Sequence, residues 1–322
     1  MTAFSRSSIG KQGYGCMGLS HSYGQAEDED SIRTIHRALD LGVTLIDTAN
    51  VYGQGHNEEL VARALAGKRG DVVLATKFGL RFGDDPESRH VNAEPAYARR
   101  RIEESLKRLR TDHIDLYYLH RVDPLVPIED TVGELVRLKD EGKIGAIGLS
   151  EASSDVIRRA HAVHPIAALQ SEYSIWERTV EEDILATTRE LGIAFVAYSP
   201  LGRGFLAGSR PTEDSDRRHL HPRFQADALE VNSRRFTVIK GVAQRLGVTV
   251  AQVSLAWLLA RDVVPIPGTR RIANLEANLA ANELVLDAST LTELDEAFPI
   301  GTTVGSRYPA QMRATLEAVG VR

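Results

Sequence analysis

Asp47 closes the apolar run Val43-Thr44-Leu45-Ile46, and Tyr52 follows five residues later. Lys77 closes Val72-Val73-Leu74-Ala75-Thr76, and His120 closes Ile114-Asp115-Leu116-Tyr117-Tyr118-Leu119. A carboxylate, a phenol, an amine and an imidazole brought to one rim make a proton-transfer site. A free phenol titrates near pH ~10, too high for easy donation at neutral pH. A neighbouring ammonium favours phenolate and lowers that value. Lys77 supplies the charge, with Asp47 as its ion-pair partner. His120 then orients a carbonyl or shares the proton. Each residue alone has a plainer reading: Tyr52 as a loop aromatic, Asp47 as a helix cap, Lys77 as a solvated strand end, His120 as a core imidazole. Their common place at strand ends favours the site.

Such a site adds a proton to a carbonyl oxygen. The sequence holds no nucleophile–base pair of the hydrolase kind. His21, His36, His161 and His164 lack a ligand spacing with acidic residues or Cys16, so no metal is expected. The electron pair must come from a hydride-donating cofactor. The net charge is -5 with no basic block, which argues against nucleic acid. Cys16 is the only cysteine, so no disulfide forms within the chain, and a cytoplasmic location is expected. No signal-peptide stretch is visible, and no run reaches the roughly 20 apolar residues of a membrane helix. The sequence leaves the choice between monomer and homo-oligomer open.

Positioning these groups falls to alternating strands and helices. The patterning predicts helices near 28–41, 57–66, 95–109, 128–141, 153–161 and 180–191. It predicts strands at 43–46, 72–76, 114–119, 144–149, 167–170, 193–198 and 263–266, with a first strand within 14–17 and a last helix from about 272. Gly42, Gly67, Gly142 and Gly192 end helices, where a left-handed residue is wanted. Eight β-α units imply an α/β fold, an (α/β)8 TIM barrel, with the 322 residues as a single domain. A doubly wound open sheet is disfavoured, because the alternation continues and no glycine fingerprint follows the first strand. An irregular stretch from Leu201 to about Leu229 leaves strand seven and can fold over the barrel mouth. Tyr23 and Trp176 are candidates to line that mouth, beside Tyr52 and His120.

The later strand ends are also polar. Strand five ends in Gly148-Leu149-Ser150-Glu151, and strand six in Leu169-Gln170-Ser171-Glu172-Tyr173. Strand seven ends in Ala197-Tyr198-Ser199-Pro200-Leu201-Gly202-Arg203-Gly204. Strand eight runs into Pro267-Gly268-Thr269-Arg270-Arg271, which opens a helix. A helix N-terminus beside two arginines suits a phosphate, a common location after strands seven and eight of such barrels. Gly202 and Gly204 let backbone amides approach a pyrophosphate.

These segments, with Gly15-Cys16-Met17-Gly18, Leu45 to Gly53, Asn57-Glu58-Glu59-Leu60-Val61 and Ala75-Thr76-Lys77-Phe78-Gly79, closely resemble the aldo-keto reductase superfamily from about Gly15 to Asn278. His120-Arg121-Val122-Asp123-Pro124 resembles its microbial and plant, auxin-induced-protein-like branch. The resemblance implies an NADPH-dependent reductase of a small-molecule carbonyl. Its catalytic tetrad falls on Asp47, Tyr52, Lys77 and His120. Its nicotinamide contacts fall on Ser150 and Gln170, with Tyr198 stacking on the ring. Ser199, Pro200, Leu201, Gly202 and Arg203 match the pyrophosphate loop. Gly268, Thr269, Arg270 and Arg271 match the adenosine-phosphate site, with Glu276 and Asn278 nearby. Gly15, Met17 and Asp47 complete the implied cofactor set. Three departures stand out. Glu151 replaces a common Asn, Ala277 replaces a common Glu with Glu276 beside it, and the segment before Gly15 is short for the usual barrel-plugging hairpin. A cofactor-sensing regulatory subunit would carry the same tetrad. A Schiff-base aldolase using Lys77 is a further reading, opposed by the Asp47–Lys77 pairing.

Overall fold

The computed structural model describes residues 5–20, 27–82, 89–211 and 216–321. Eight strands form one parallel sheet whose spatial order follows chain order. They are β1 (Tyr14–Gly15), β2 (Leu45–Asp47), β3 (Val73–Phe78), β4 (Ile114–Leu119), β5 (Ile144–Ser150), β6 (Ala168–Glu172), β7 (Ala194–Tyr198) and β8 (Val264–Pro265). Between them run α1 (Asp28–Asp40), α2 (His56–Ala64), α3 (Pro95–Leu109), α4 (Ile128–Asp140), α5 (Ser154–Val163), α6 (Ile184–Glu190), α7 (Ala226–Leu246) and α8 (Val250–Leu259). After β8 come α9 (Ile272–Ala280), α10 (Ala288–Ala297) and α11 (Ala310–Glu317). The helix-ending glycines expected from sequence have left-handed backbones, with φ of 83°, 75°, 77° and 66° at Gly42, Gly67, Gly142 and Gly192.

The sheet curls until its first and last strands meet. The Gly13 N–H donates to the Pro265 carbonyl at 3.0 Å, and the Tyr14 phenol donates to the Thr269 carbonyl. Glycine is required at this seam. A Cβ on Gly15 would lie 2.7 Å from the Ile266 carbonyl oxygen, and one on Gly268 would lie 2.5 Å from that of Gly15.

Strand periodicity sorts the core into two layers. Leu45, Ala75, Leu116, Tyr118, Ala146, Ala168, Ala194, Val196 and Val264 form one apolar cluster inside the curl. Ile46, Leu74, Tyr117, Ile147, Leu169 and Phe195 face the other way and pack with Ile35, Ile102, Leu135 and Ile157 of the helices. Ile9, from a 3-10 turn over Arg6–Ile9, is fully buried in the inner cluster. Among the described residues this turn stands where the resemblance implies a hairpin.

Several elements were not foreseen. An antiparallel hairpin pairs Leu80–Phe82 with Arg89–Val91. The stretch from Leu201 to Leu229 is less irregular than expected. It carries 3-10 turns at Gly202–Ala207, Arg217–Leu220 and Pro222–Phe224, and α7 has already begun at Ala226. The sequence of α8, VAQVSLAWLL, is almost wholly apolar and lacks a polar face to reveal its period. Among the described residues no single helix is long and apolar enough to cross a membrane; α7 and α8 together pass by length and composition only, bent by 95°.

Candidate active site

The inward row of each strand leads into the site. Two residues beyond Leu45 comes Asp47, two beyond Ala75 comes Lys77, and two beyond Tyr118 comes His120. Ser150 lies four beyond Ala146, Gln170 two beyond Ala168 and Tyr198 two beyond Val196. The small inner residues below leave the polar ends room to converge.

Lys77 is fully buried and donates to the Asp47 carboxylate at 2.5 Å and to the Thr48 carbonyl at 2.7 Å. The other Asp47 oxygen accepts from Gln170 Nε2 at 2.8 Å. Tyr52 opens a 3-10 turn, Tyr52–Gly55, beyond β2. The Lys77 ammonium lies 5.2 Å from the centre of its ring. The imidazole of His120 meets that ring edge-on, with centroids 5.9 Å apart and planes at 83°. The structure therefore brings Asp47, Tyr52, Lys77 and His120 together.

Burial alone would lower the Lys77 pKa, but Asp47 and Tyr52 more than offset this, so it is held above the ordinary lysine value. It remains an ammonium, the wrong form for Schiff-base attack. Tyr52 corrects a sequence expectation. Burial raises its pKa, and the opposing pull of Lys77 does not bring it below the ordinary value. Asp47 adds to the upward shift, while Arg121 opposes it. Tyr52 thus keeps its phenol proton rather than standing as a preformed phenolate.

A second set of contacts fixes the Tyr52 loop. Asn57, fully buried, accepts from Thr48 Oγ1 at 2.6 Å and donates to the Cys16 carbonyl at 2.9 Å and to Ser20 Oγ at 2.8 Å. It ties the loop after β1 to the loop after β2. Behind β3, Glu58 accepts from Thr76 and Arg108, each at 2.6 Å.

The opposite half of the rim carries the groups assigned by resemblance. Ser150 and Gln170 are register partners on β5 and β6. Ser150 Oγ accepts from Arg121 at 3.2 Å. Past Tyr198 the backbone is left-handed at Ser199, Gly202, Arg203 and Gly204, with φ of 48°, 55°, 54° and 92°. Successive turns of this kind make amide-lined concavities for anions. Pro200 and Leu201 lie within that loop. Gly268, Thr269 and Arg270 lead to Arg271, the residue that caps α9. Asn278 is buried, and its carbonyl accepts from Gln12 Nε2 at 2.9 Å. Hydroxyl and amide groups at one end and guanidiniums at a helix start at the other suit a polar ring joined to a phosphate-bearing tail.

Other expected residues are engaged differently. Glu276 pairs with Arg37 at 2.7 Å. Gly15 lies in β1, and Met17 opens a 3-10 turn just beyond it. Trp176 is 3% exposed and stacks on Phe205, with centroids 4.1 Å apart. It is a core residue beneath the Gly202–Ala207 turn rather than an open wall of the mouth. Tyr23 lies outside the described residues.

Glu151 settles one departure. Its carboxylate takes a two-point ion pair from Arg307, at 3.1 and 3.0 Å, and accepts from the Glu172 N–H at 2.8 Å. It is committed to the C-terminal segment, which sequence reading missed. Arg307 lies 156 residues away, and no local pattern announces such a partner. Burial alone would raise the Glu151 pKa, but Arg307 and Arg121 bring it down to about 2 from an ordinary 4.5. A depressed carboxyl contributes stability that is present above its unfolded value and lost as pH falls through its folded one. Glu151→Gln removes the two-point carboxylate partner of the buried Arg307 and is expected to cost roughly 3–5 kcal/mol at neutral pH. Thermal melts across the acid range should show the gap to wild type closing between pH 4.5 and about 2. A gap constant over that range would refute the account.

A profile of the aldo/keto reductase family matches residues 11–298. A probable aldo-keto reductase 1 of Glycine max is 48% identical over 307 residues, covering 93% of this chain and 88% of that protein. Among solved structures, the glycerol dehydrogenase of Gluconobacter oxydans aligns with a TM-score of 0.82 at 32% identity, covering 90% of this chain and 91% of that one. An aldo/keto reductase of Klebsiella pneumoniae, in complex with NADP and acetate, aligns with a TM-score of 0.74 at 28% identity, covering 93% and 95%.

Proposed function

This chain belongs to the aldo/keto reductase family, and on that premise we propose that it is an NADPH-dependent reductase of aldehydes or ketones, acting as one domain on a closed (α/β)8 barrel. The observation that carries the reading is the ammonium of Lys77 set between the Asp47 carboxylate and the Tyr52 ring. NADPH, when bound, supplies the hydride. Tyr52 gives its proton to the carbonyl oxygen, which becomes the alcohol. Lys77 stabilises the phenolate left behind, and Asp47 keeps Lys77 charged and in place. His120, edge-on to Tyr52, orients the carbonyl toward the phenol. Ser150 and Gln170 would hold the nicotinamide amide, Tyr198 would back the ring, and the 199–204 loop would cradle the pyrophosphate. Gln170 already uses its nitrogen on Asp47, so its oxygen is the atom offered to an amide N–H₂.

The test is NADPH oxidation by the purified protein against a panel of small aldehydes, dicarbonyls, quinones and a pyridoxal-type aldehyde. Turnover with one class fixes the substrate. NADPH binding without turnover on any would instead favour a cofactor-sensing regulatory subunit.

Cofactor choice gives a further expectation. A 2′-phosphate needs fixed positive partners, and Arg270 and Arg271 stand at the start of α9. NADPH should bind more tightly than NADH. Arg270→Ala with Arg271→Ala should remove most of that preference, since each charge-assisted contact is worth roughly 1.5–3 kcal/mol. Fluorescence titration of both cofactors at fixed salt measures it. An unchanged ratio would place the phosphate elsewhere.

A further inference from the structure

The C-terminal segment reaches the rim through Tyr308, which is 5% exposed. Its hydroxyl lies 2.6 Å from the Tyr198 hydroxyl and accepts from Arg121 Nη2 at 3.2 Å. Arg121 also donates to the His120 carbonyl at 2.6 Å and to Ser150 Oγ at 3.2 Å. The guanidiniums of Arg203, Arg307 and Arg121 stand 5.2, 5.7 and 6.0 Å from the centre of the Tyr308 ring. One side chain therefore touches groups from the ends of β4 and β7 directly, and from β5 through Arg121 and the Glu151–Arg307 pair. The anchor is equally buried. Arg307 binds Glu151 and lies 3.9 Å from Glu172, which in turn lies 3.5 Å from Arg203.

We propose that Tyr308 is a positioning residue for the bound nicotinamide, holding the Tyr198 ring in its stacking plane through the bond between their hydroxyls. The inference rests on the reductase reading, which makes Tyr198 the ring's support. A phenol ring attached only by its Cβ rocks about two torsions, whereas a hydrogen bond at the far end fixes the plane. Arg121 orients that bond: it occupies one acceptor site of the Tyr308 oxygen and leaves the other site and the proton for Tyr198. The same arginine holds Ser150, so the stacking partner and the amide contact are set by one linked network. Through it the segment that precedes α11 becomes a wall of the hydride-transfer site.

Because Tyr308 acts through Tyr198, breaking the bond from either end should have the same consequence. Tyr308→Phe and Tyr198→Phe each keep the ring. Each is expected to raise the NADPH dissociation constant about threefold to tenfold, the loss of one neutral hydrogen bond. Each should also diminish the change in nicotinamide absorbance that accompanies binding. The double variant should match Tyr308→Phe, since the bond between the hydroxyls is lost in all three and the Arg121 contact is lost wherever Tyr308 is changed. Fluorescence titration, difference absorbance and thermal melting of the variants provide the readouts, with turnover as a separate measurement. Effects that multiply in the double variant would overturn the proposal, as would a Tyr308→Phe protein that binds and turns over NADPH as the wild type does. Failure of the wild-type protein to bind NADPH would overturn the reductase reading itself, and the proposal with it.

Discussion

Tyr52→Phe is expected to lower carbonyl turnover by on the order of 10³-fold while leaving NADPH affinity within about twofold of wild type, the scale at which general acid catalysis operates. The substitution keeps the ring that His120 meets edge-on and over which Lys77 sits. It removes only the hydroxyl, the group that the proposed mechanism uses as its proton donor. The fold should be unharmed, because the lost group is a phenol whose burial holds it neutral. Stopped-flow single turnovers would separate the chemical step from product release, and cofactor titration would confirm binding. Turnover near the wild-type rate would remove Tyr52 as the donor. A parallel loss of cofactor affinity would show instead that the ring holds the cofactor.

The strand ends that carry this chemistry were legible because a strand has a period of two and a sharp boundary. An apolar run that stops at Asp47, Lys77 or His120 must deliver that residue to the same end of a parallel sheet. The structure refines the point, since Lys77 lies inside β3 and not beyond it. Its burial is offset by Asp47, Tyr52 and the Thr48 carbonyl. Less could be read where a residue's role depends on a distant partner. Glu151 at a strand end has the same sequence appearance as a solvated acid, and only Arg307 makes it a buried anchor. Asn57 was visible as part of a motif, but its three-way bridge to Cys16, Ser20 and Thr48 follows from how the first two loops fold together. An aromatic beyond a strand end can turn inward as readily as toward the mouth, and Trp176 packs inward on Phe205 and Phe224. The C-terminal segment was silent for the same reason. Its binding residues, Arg307 and Tyr308, follow no period and meet groups from other strands.

Lys77→Met separates the electrostatic part of the mechanism from the proton itself. Of the charges acting on Tyr52, Lys77 is the strongest that lowers its pKa, against burial and Asp47, which raise it. Without it the phenol should titrate higher still. Carbonyl reduction needs the protonated phenol, so its alkaline decline should move to higher pH. Alcohol oxidation needs phenolate, so its rise with pH should move the same way. Both rates should fall roughly 10²–10³-fold at neutral pH, the range seen when one group that stabilises developing charge is removed. The protein should also lose about 3–5 kcal/mol of stability, because Asp47 is left as a buried carboxylate with Gln170 as its remaining side-chain donor. The two effects can be told apart. Asp47→Asn combined with Lys77→Met removes the orphaned charge and should recover much of the melting temperature, yet it should not recover turnover. If the double variant regains activity along with stability, Lys77 serves only to neutralise Asp47, and the phenolate has no electrostatic partner in this site. If the pH profiles of the single variant coincide with those of wild type at lower amplitude, the ammonium does not set the pKa of the donor.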